Sequence, residues 1–270
     1  MKQLVRKALM KAVLPGMVAY ALAMGGTLAP VQASPLTFFG EDLNFTDDPS
    51  TLADDPLRPT SLPNSTGART AFLAHLIGVS TENFESFPAG INPGTLTFGA
   101  DTATLSGSPT IRNVPTGTFN GTYPTSGNQF LFHFGPAGSF GITFSSPQAA
   151  FGFFATDVGD GGAQLILTLS GGATTNLTVP HTVPTGTGSA LYFGVIDIGN
   201  PFTQVTFTNT NSALDGFGFD DMTIGRLEQV QVVPEPSTFA LLGLGLMSLL
   251  GYSWRRREHG TTAADSGSNA

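Results

Sequence analysis

Phe130-Leu131-Phe132-His133-Phe134, the turn pair Gly135-Pro136, and then Phe140-Gly141-Ile142-Thr143-Phe144 decide how this chain folds. Apolar residues recur at every second position on both sides of the turn, the period of a strand that buries one face. The same alternation continues through Leu165, Leu167 and Leu169, through Leu191, Phe193 and Val195, and through Val205 and Phe207. Ser146-Pro147, Asp160-Gly161-Gly162, Ser170-Gly171-Gly172 and Gly199-Asn200-Pro201 punctuate these runs, and glycine and proline are the residues that turns require. Short strands at close spacing, with no long helical pattern between them, predict an all-β fold. It is an antiparallel β-sandwich, jelly-roll-like, over residues 82–230 with the phenylalanines as its inner layer. A closed barrel is the other architecture that fits this pattern.

Upstream, residues 34–81 read as an irregular region. Asp47-Asp48-Pro49, Asp54-Asp55-Pro56, Arg58-Pro59 and Leu62-Pro63 are turn signals. One short helix is expected near residues 65–77, capped by Asn64 or Ser65 and ended by Gly78, with Ala71, Phe72, His75 and Leu76 on one stripe.

The two ends of the 270-residue chain carry different information. Lys2, Arg6, Lys7 and Lys11 precede an apolar stretch from Ala12 to Met24, and Val31-Gln32-Ala33 comes before Ser34. A basic start, a short apolar core and small residues at the cleavage positions make residues 1–33 a secretory signal peptide, cut between Ala33 and Ser34. The translocon and signal peptidase are the partners this implies.

At the other end, residues 231–258 form a distinct tail. Val233-Pro234-Glu235-Pro236 leads into an apolar stretch, and Arg255-Arg256-Arg257 follows. Residues 237–254 are expected to form a transmembrane helix near the lower length limit for a bilayer. The arginine triplet is its cytoplasmic stop. Residues 259–270 read as a disordered polar C-terminus.

Between Ser34 and Val233 the chain has 16 acidic and 4 basic residues, a balance of about −12. Such a surface repels phosphate backbones, so nucleic acid is not an expected partner. The chain has no cysteine, which excludes thiol nucleophiles and thiolate metal sites. No nucleophile elbow, metalloprotease helix or phosphate loop is present, so no catalytic residue is assigned and a non-enzyme is expected.

The acid pairs suggest a metal. Glu82 and Glu85 precede the strands, and Asp220 and Asp221 fall on the last one. In a jelly roll the terminal strands lie side by side. Glu85, Asp220 and Asp221 are therefore candidate ligands for calcium, with Asp157 and Asp160 as a second candidate loop. Calcium is the one candidate cofactor.

The tail resembles the PEP-CTERM sorting signal of Gram-negative bacteria, also called the ice-binding-protein C-terminal domain: Pro234-Glu235-Pro236, a short helix and Arg255-Arg256-Arg257. That resemblance implies recognition by a membrane-embedded exosortase and cleavage near Pro234. It further implies an inner-membrane-anchored precursor, then release to the cell surface or the exopolysaccharide matrix. The folded region is similar to β-rich ectodomains of that family in Phe38-Phe39-Gly40-Glu41-Asp42-Leu43, in Phe84-Glu85-Ser86-Phe87 and in Asp215-Gly216-Phe217-Gly218-Phe219-Asp220-Asp221. The expected function is a structural or adhesive component of the surface or matrix. A calcium-dependent glycan-binding module is the alternative.

Overall fold

A computed structural model describes residues 34–43, 61–134, 139–158, 165–182, 189–210, 216–231, 242–250 and 252. The expected signal peptide, Ala33, Asp160, Val233 to Pro236, Arg255 to Arg257 and residues 259–270 lie outside these residues.

Among the described residues of the domain, thirteen strands make two open antiparallel sheets packed face to face, with an α-helix against one of them. In chain order the strands are β1 (Leu36–Asp42), β2 (Ser80–Glu82), β3 (Thr95–Phe98), β4 (Asp101–Ser106) and β5 (Thr110–Asn113). Then come β6 (Gln129–Phe134), β7 (Ser139–Gln148), β8 (Ala150–Thr156), β9 (Leu165–Gly171) and β10 (Thr174–Thr178). The last three are β11 (Ala190–Ile196), β12 (Phe202–Asn209) and β13 (Gly216–Gly225). The helix α1 spans Pro63–Leu73.

One sheet runs β1-β11-β8-β13-β6-β5, with β2 also pairing with β13; the other runs β10-β9-β12-β7-β4-β3. From β6 to β13 the chain passes back and forth between the sheets, apart from the β9–β10 hairpin. The first and last of these eight strands lie side by side, which is the order of a jelly roll. Among the described residues neither sheet closes on itself, so the structure is a sandwich and not a barrel.

The core fills the space between the sheets. Phe140, Ile142 and Phe144 of β7 meet Leu165, Leu167 and Leu169 of β9, Phe193 and Val195 of β11, and Val205 and Phe207 of β12. These are the faces that the alternation predicts. Phe207 packs on Phe140, Phe153 and Phe219 with ring centroids 4.6, 5.0 and 4.8 Å apart. Offset and edge-on aromatic pairs of this kind add to plain area burial.

Strand β6 has the opposite phase from the one expected. Leu131 joins the inter-sheet core, and the His133 ring lies 5.2 Å from Phe140. His133 is therefore buried on the inner side. Phe130, Phe132 and Phe134 point outward, and residues 114–128 cross over the first two, leaving Phe134 exposed. Tyr123 is fully covered there, and Phe119 meets Phe132 edge-on at 5.3 Å.

The sheet also begins earlier than the strand pattern indicates. β1 pairs with β11 from Leu36↔Ile196 to Asp42↔Ala190, so part of the stretch expected to be irregular is an edge strand. The helix covers the outer face of this sheet. Phe72 and Leu76, with Ala150, Phe154, Tyr192 and Ile196, form a second small core. Gly152 and Gly194 sit opposite each other on β8 and β11, and they leave the hollow that Phe72 fills. A Cβ on Gly152 would lie 2.9 Å from the Phe72 ring, and one on Gly194 2.7 Å from it.

The helix starts one residue earlier than Asn64 and stops a turn short of the expected end. Leu62 is its N-cap, with Pro63 in the first turn and no side-chain cap of its own. Asp42, from β1, supplies the missing acceptors (Asn64 N at 3.0 Å, Ser65 N at 2.9 Å). Leu76 forms an isolated bridge with Val230, and Gln231 N donates to His75 O at 2.7 Å.

Candidate functional site: the carboxylate seam and the sorting tail

Two covers lie on the outer face of the first sheet: α1 over β8 and β11, and the 114–128 segment over β6. The Asp220-Asp221 pair sits in the seam between them. Phe219 and Met222 both belong to the inter-sheet core, so the two residues between them must both face outward. They do so through a register shift between Asp220 and Thr223 and a left-handed φ of 46° at Asp221. This is a bulge, and a short acidic side chain tolerates that backbone better than a bulky one.

Both carboxylates are buried, at 1 % and 5 % exposure, and both are engaged. Asp220 Oδ2 accepts from Thr125 N at 2.8 Å, Thr125 Oγ1 at 3.0 Å and Ser126 N at 2.9 Å. Its Oδ1 accepts from Asp221 N at 2.7 Å. Asp221 Oδ1 takes the Ser126 hydroxyl at 2.9 Å, and its Oδ2 lies 3.5 Å from Arg69 Nη1 of the helix. Burial, and then the Asp221 charge, push the Asp220 carboxyl up to about 8 against the pull of its donors. Burial also raises Glu82.

Glu85 reaches the same segment from the other side. Its Oε1 accepts from Asn128 N and Gln129 N, both at 2.7 Å, and Gln129 Nε2 returns a bond to Glu85 O at 3.0 Å. Phe84 beside it holds a φ of 62°, and its N–H is bound by Glu82 Oε1 at 2.8 Å. Glu82 itself pairs with Met222 of β13. The start of the expected 82–230 domain thus lies against its last strand, through β2 and not through the eight jelly-roll strands.

The structure brings Glu85, Asp220 and Asp221 to one segment but aims them at N–H and O–H donors along it. A calcium shell needs 6–8 oxygens around one point. Among the described residues no three acidic, histidine or cysteine side chains gather in a metal-holding group. Asp157 is buried with a φ of 63° and gives its N–H to Ser189 O at 3.0 Å. As placed, these carboxylates fasten covers onto a sheet.

Sequence reading misses the partners: Arg69, Thr125 and Ser126. The available signal is two adjacent acids inside the apolar run Phe217 to Ile224, which demands donors nearby. A second ion pair is also missed. Arg226 Nε and Nη2 grip Asp101 at 2.8 and 2.6 Å. The Arg226 hydrogen bond holds the Asp101 carboxyl below its ordinary value. This fork lines a cleft of about 220 Å³ with Ser80, Phe98, Ile224 and Gln229.

From that cleft the chain runs to Gln231, and the tail begins. Residues 242–250 and 252 are helical. Among the described residues no helix is long and apolar enough to cross a membrane; the span expected at 237–254 lies partly outside them.

The chain is thus a jelly-roll domain followed by a short C-terminal tail. Residues 232–257 match the family model of the PEP-CTERM protein-sorting motif, so the chain carries that motif. The motif implies an exported protein with a membrane-anchored precursor that is processed by an exosortase. No curated protein matches the chain.

Solved structures similar to it include the K2 cleaved adhesin domain of Lys-gingipain, at 17 % identity and a TM-score of 0.35. That match covers 54 % of this chain and 97 % of the other. A family 29 carbohydrate-binding module matches at 15 % identity and a TM-score of 0.29, over 56 % and 89 % of the two chains. The enzymatically active domain of a bacteriophage tailspike protein matches at 17 % identity and 0.29, over 47 % of this chain and 19 % of that one. At these scores the likenesses carry no argument about function.

Proposed function

We propose that this is a cell-surface or exopolysaccharide-matrix protein, delivered by exosortase processing, that acts by structure or adhesion and not by catalysis. One observation carries the reading. Among the described residues the last hydrogen bond of the domain, Gln231 N to His75 O, falls one residue before the sorting motif begins at 232. A cut near Pro234 would release the domain with every described contact intact. The polar side chains support the non-catalytic part, since the clustered acids are already held by backbone N–H, hydroxyl and arginine donors. A glycan-binding role is the second reading, favoured by a cation left on an aromatic surface at Arg112.

The test compares a host with and without its exosortase and reads the C-terminus by mass spectrometry. The released protein should end near Pro234, and the host without exosortase should keep the full tail in its membrane. A surface protein that retains residues 239–257 would defeat the proposal.

A further inference from the structure

Arg112 stands apart from the other arginines of the folded domain. Arg69 and Arg226 have carboxylates at 3.5 and 2.6 Å. Arg112 has no ion pair and no hydrogen bond among the described residues; its Nε is buried without an acceptor, as is that of Arg69. This occurs in a region where acids outnumber bases 16 to 4.

Its position explains what holds it. Arg112 of β5 lies opposite Phe130 of β6. Its guanidinium carbon sits 4.6 Å from the Phe119 ring centre and 5.2 Å from that of Phe132. Phe134 continues the row, 6.2 Å from Phe132 at an interplanar angle of 19°, and is 53 % exposed. Gly216 of β13 leaves room for this row, since a Cβ there would lie 2.7 Å from the Phe132 ring. The guanidinium thus rests on aromatic rings, which engage its faces. Its in-plane N–H edge is what remains to bind an acceptor.

We propose that Arg112 and Phe134 form a binding site for an acidic polysaccharide, one built of uronic acids. A uronate carboxylate would take the two terminal Nη groups of Arg112, the end of the guanidinium that its buried Nε leaves to a ligand. The apolar face of the adjoining sugar ring would stack on the exposed Phe134 ring. One exposed ring and one cation suit a chain of sugar units. A stable protein partner would need a far wider patch, on the order of 800 Å² from each side. This inference rests on the matrix reading for the source of the ligand, but its test does not depend on processing.

The test is calorimetric titration of the full chain in detergent with hexagalacturonate and with its fully methyl-esterified form, which keeps the rings and removes the charge. The acid oligomer should bind at least roughly tenfold tighter than the ester, the scale of a charge-assisted hydrogen bond. Arg112→Gln should erase that difference, and Arg112→Lys should recover only part of it. Phe134→Ser, at an exposed position, should weaken both oligomers about fivefold with an unchanged melting temperature. Equal binding of acid and ester, binding unchanged by Phe134→Ser, or no binding at millimolar oligomer would each overturn the site. Loss of binding in this titration with normal cleavage near Pro234 would remove the site and leave the export reading standing.

Discussion

Ser65 gives both its backbone N–H and its hydroxyl to one oxygen of Asp42, at 2.9 and 2.6 Å. A strand carboxylate thereby caps a helix whose own N-cap, Leu62, has nothing to offer. The first turn of a helix exposes N–H groups that need acceptors. Here the acceptor comes from the preceding strand. Asp42→Ala should destabilise the domain by about 1–2 kcal/mol, the upper range for loss of a cap. Urea unfolding measures it, and a change within error would show that the helix is held by Phe72 alone.

Stability should fall as pH rises from about 4 to about 8. Asp220 has an ordinary value of 3.8 and a folded value raised to about 8. Between those limits the folded state keeps a proton that the unfolded chain has released, so each step up in pH favours unfolding. Glu82, also raised by burial, acts in the same sense. Asp220→Asn should flatten the slope across this window in urea melts recorded at several pH values. A wild-type profile that climbs through the window would contradict the assignment.

Gly152→Ala and Gly194→Ala should each cost about 1–3 kcal/mol, the usual range for overpacking a filled site. A methyl at Gly194 would meet the Phe72 ring first, and one at Gly152 the Tyr192 hydroxyl and then the Phe72 ring. Phe72→Ala should rescue part of the Gly194→Ala loss in the double variant, because those two effects share one contact. Additive losses would mean that the glycines serve the backbone and not the ring.

N-terminal sequencing of exported protein should read Ser34-Pro35-Leu36. A cut after Ala33 leaves the whole of β1, which starts at Leu36. A start beyond Leu36 would remove strand residues and argue against β1 as part of the exported domain.

The alternation of β7, β9, β11 and β12 was readable because these strands lie between two sheets, where inward and outward residues differ in kind. β6 was not, because both of its faces are covered. Leu131 and His133 look as suited to the outside as Phe130 and Phe132, and only the crossing of residues 114–128 decides the phase. Asp220 and Asp221 were visible as a pair. Their partners were not, since Thr125 and Ser126 lie about 95 positions away and no period links them. The helix was visible through Phe72 and Leu76, but its cap was sought nearby. Asp42 is 23 positions from Ser65.

The place of β13 sets a timetable for export. It runs between β8 on one side and β6 and β2 on the other, so without it the first sheet falls into β1-β11-β8, β6-β5 and an unpaired β2. A chain that crosses a membrane from its N-terminus delivers this strand last, and β1 must wait for β11 before it can pair. Pairings this distant in sequence form slowly, and unpaired strand edges left waiting are prone to join the wrong neighbours. Gly225 ends β13 only a few residues before the sorting motif starts at 232. In such a crossing the sandwich would finish only as the tail enters the membrane. A tail that stalls there holds each chain apart from its neighbours while the last strand settles, and a cut made afterwards releases a domain already closed.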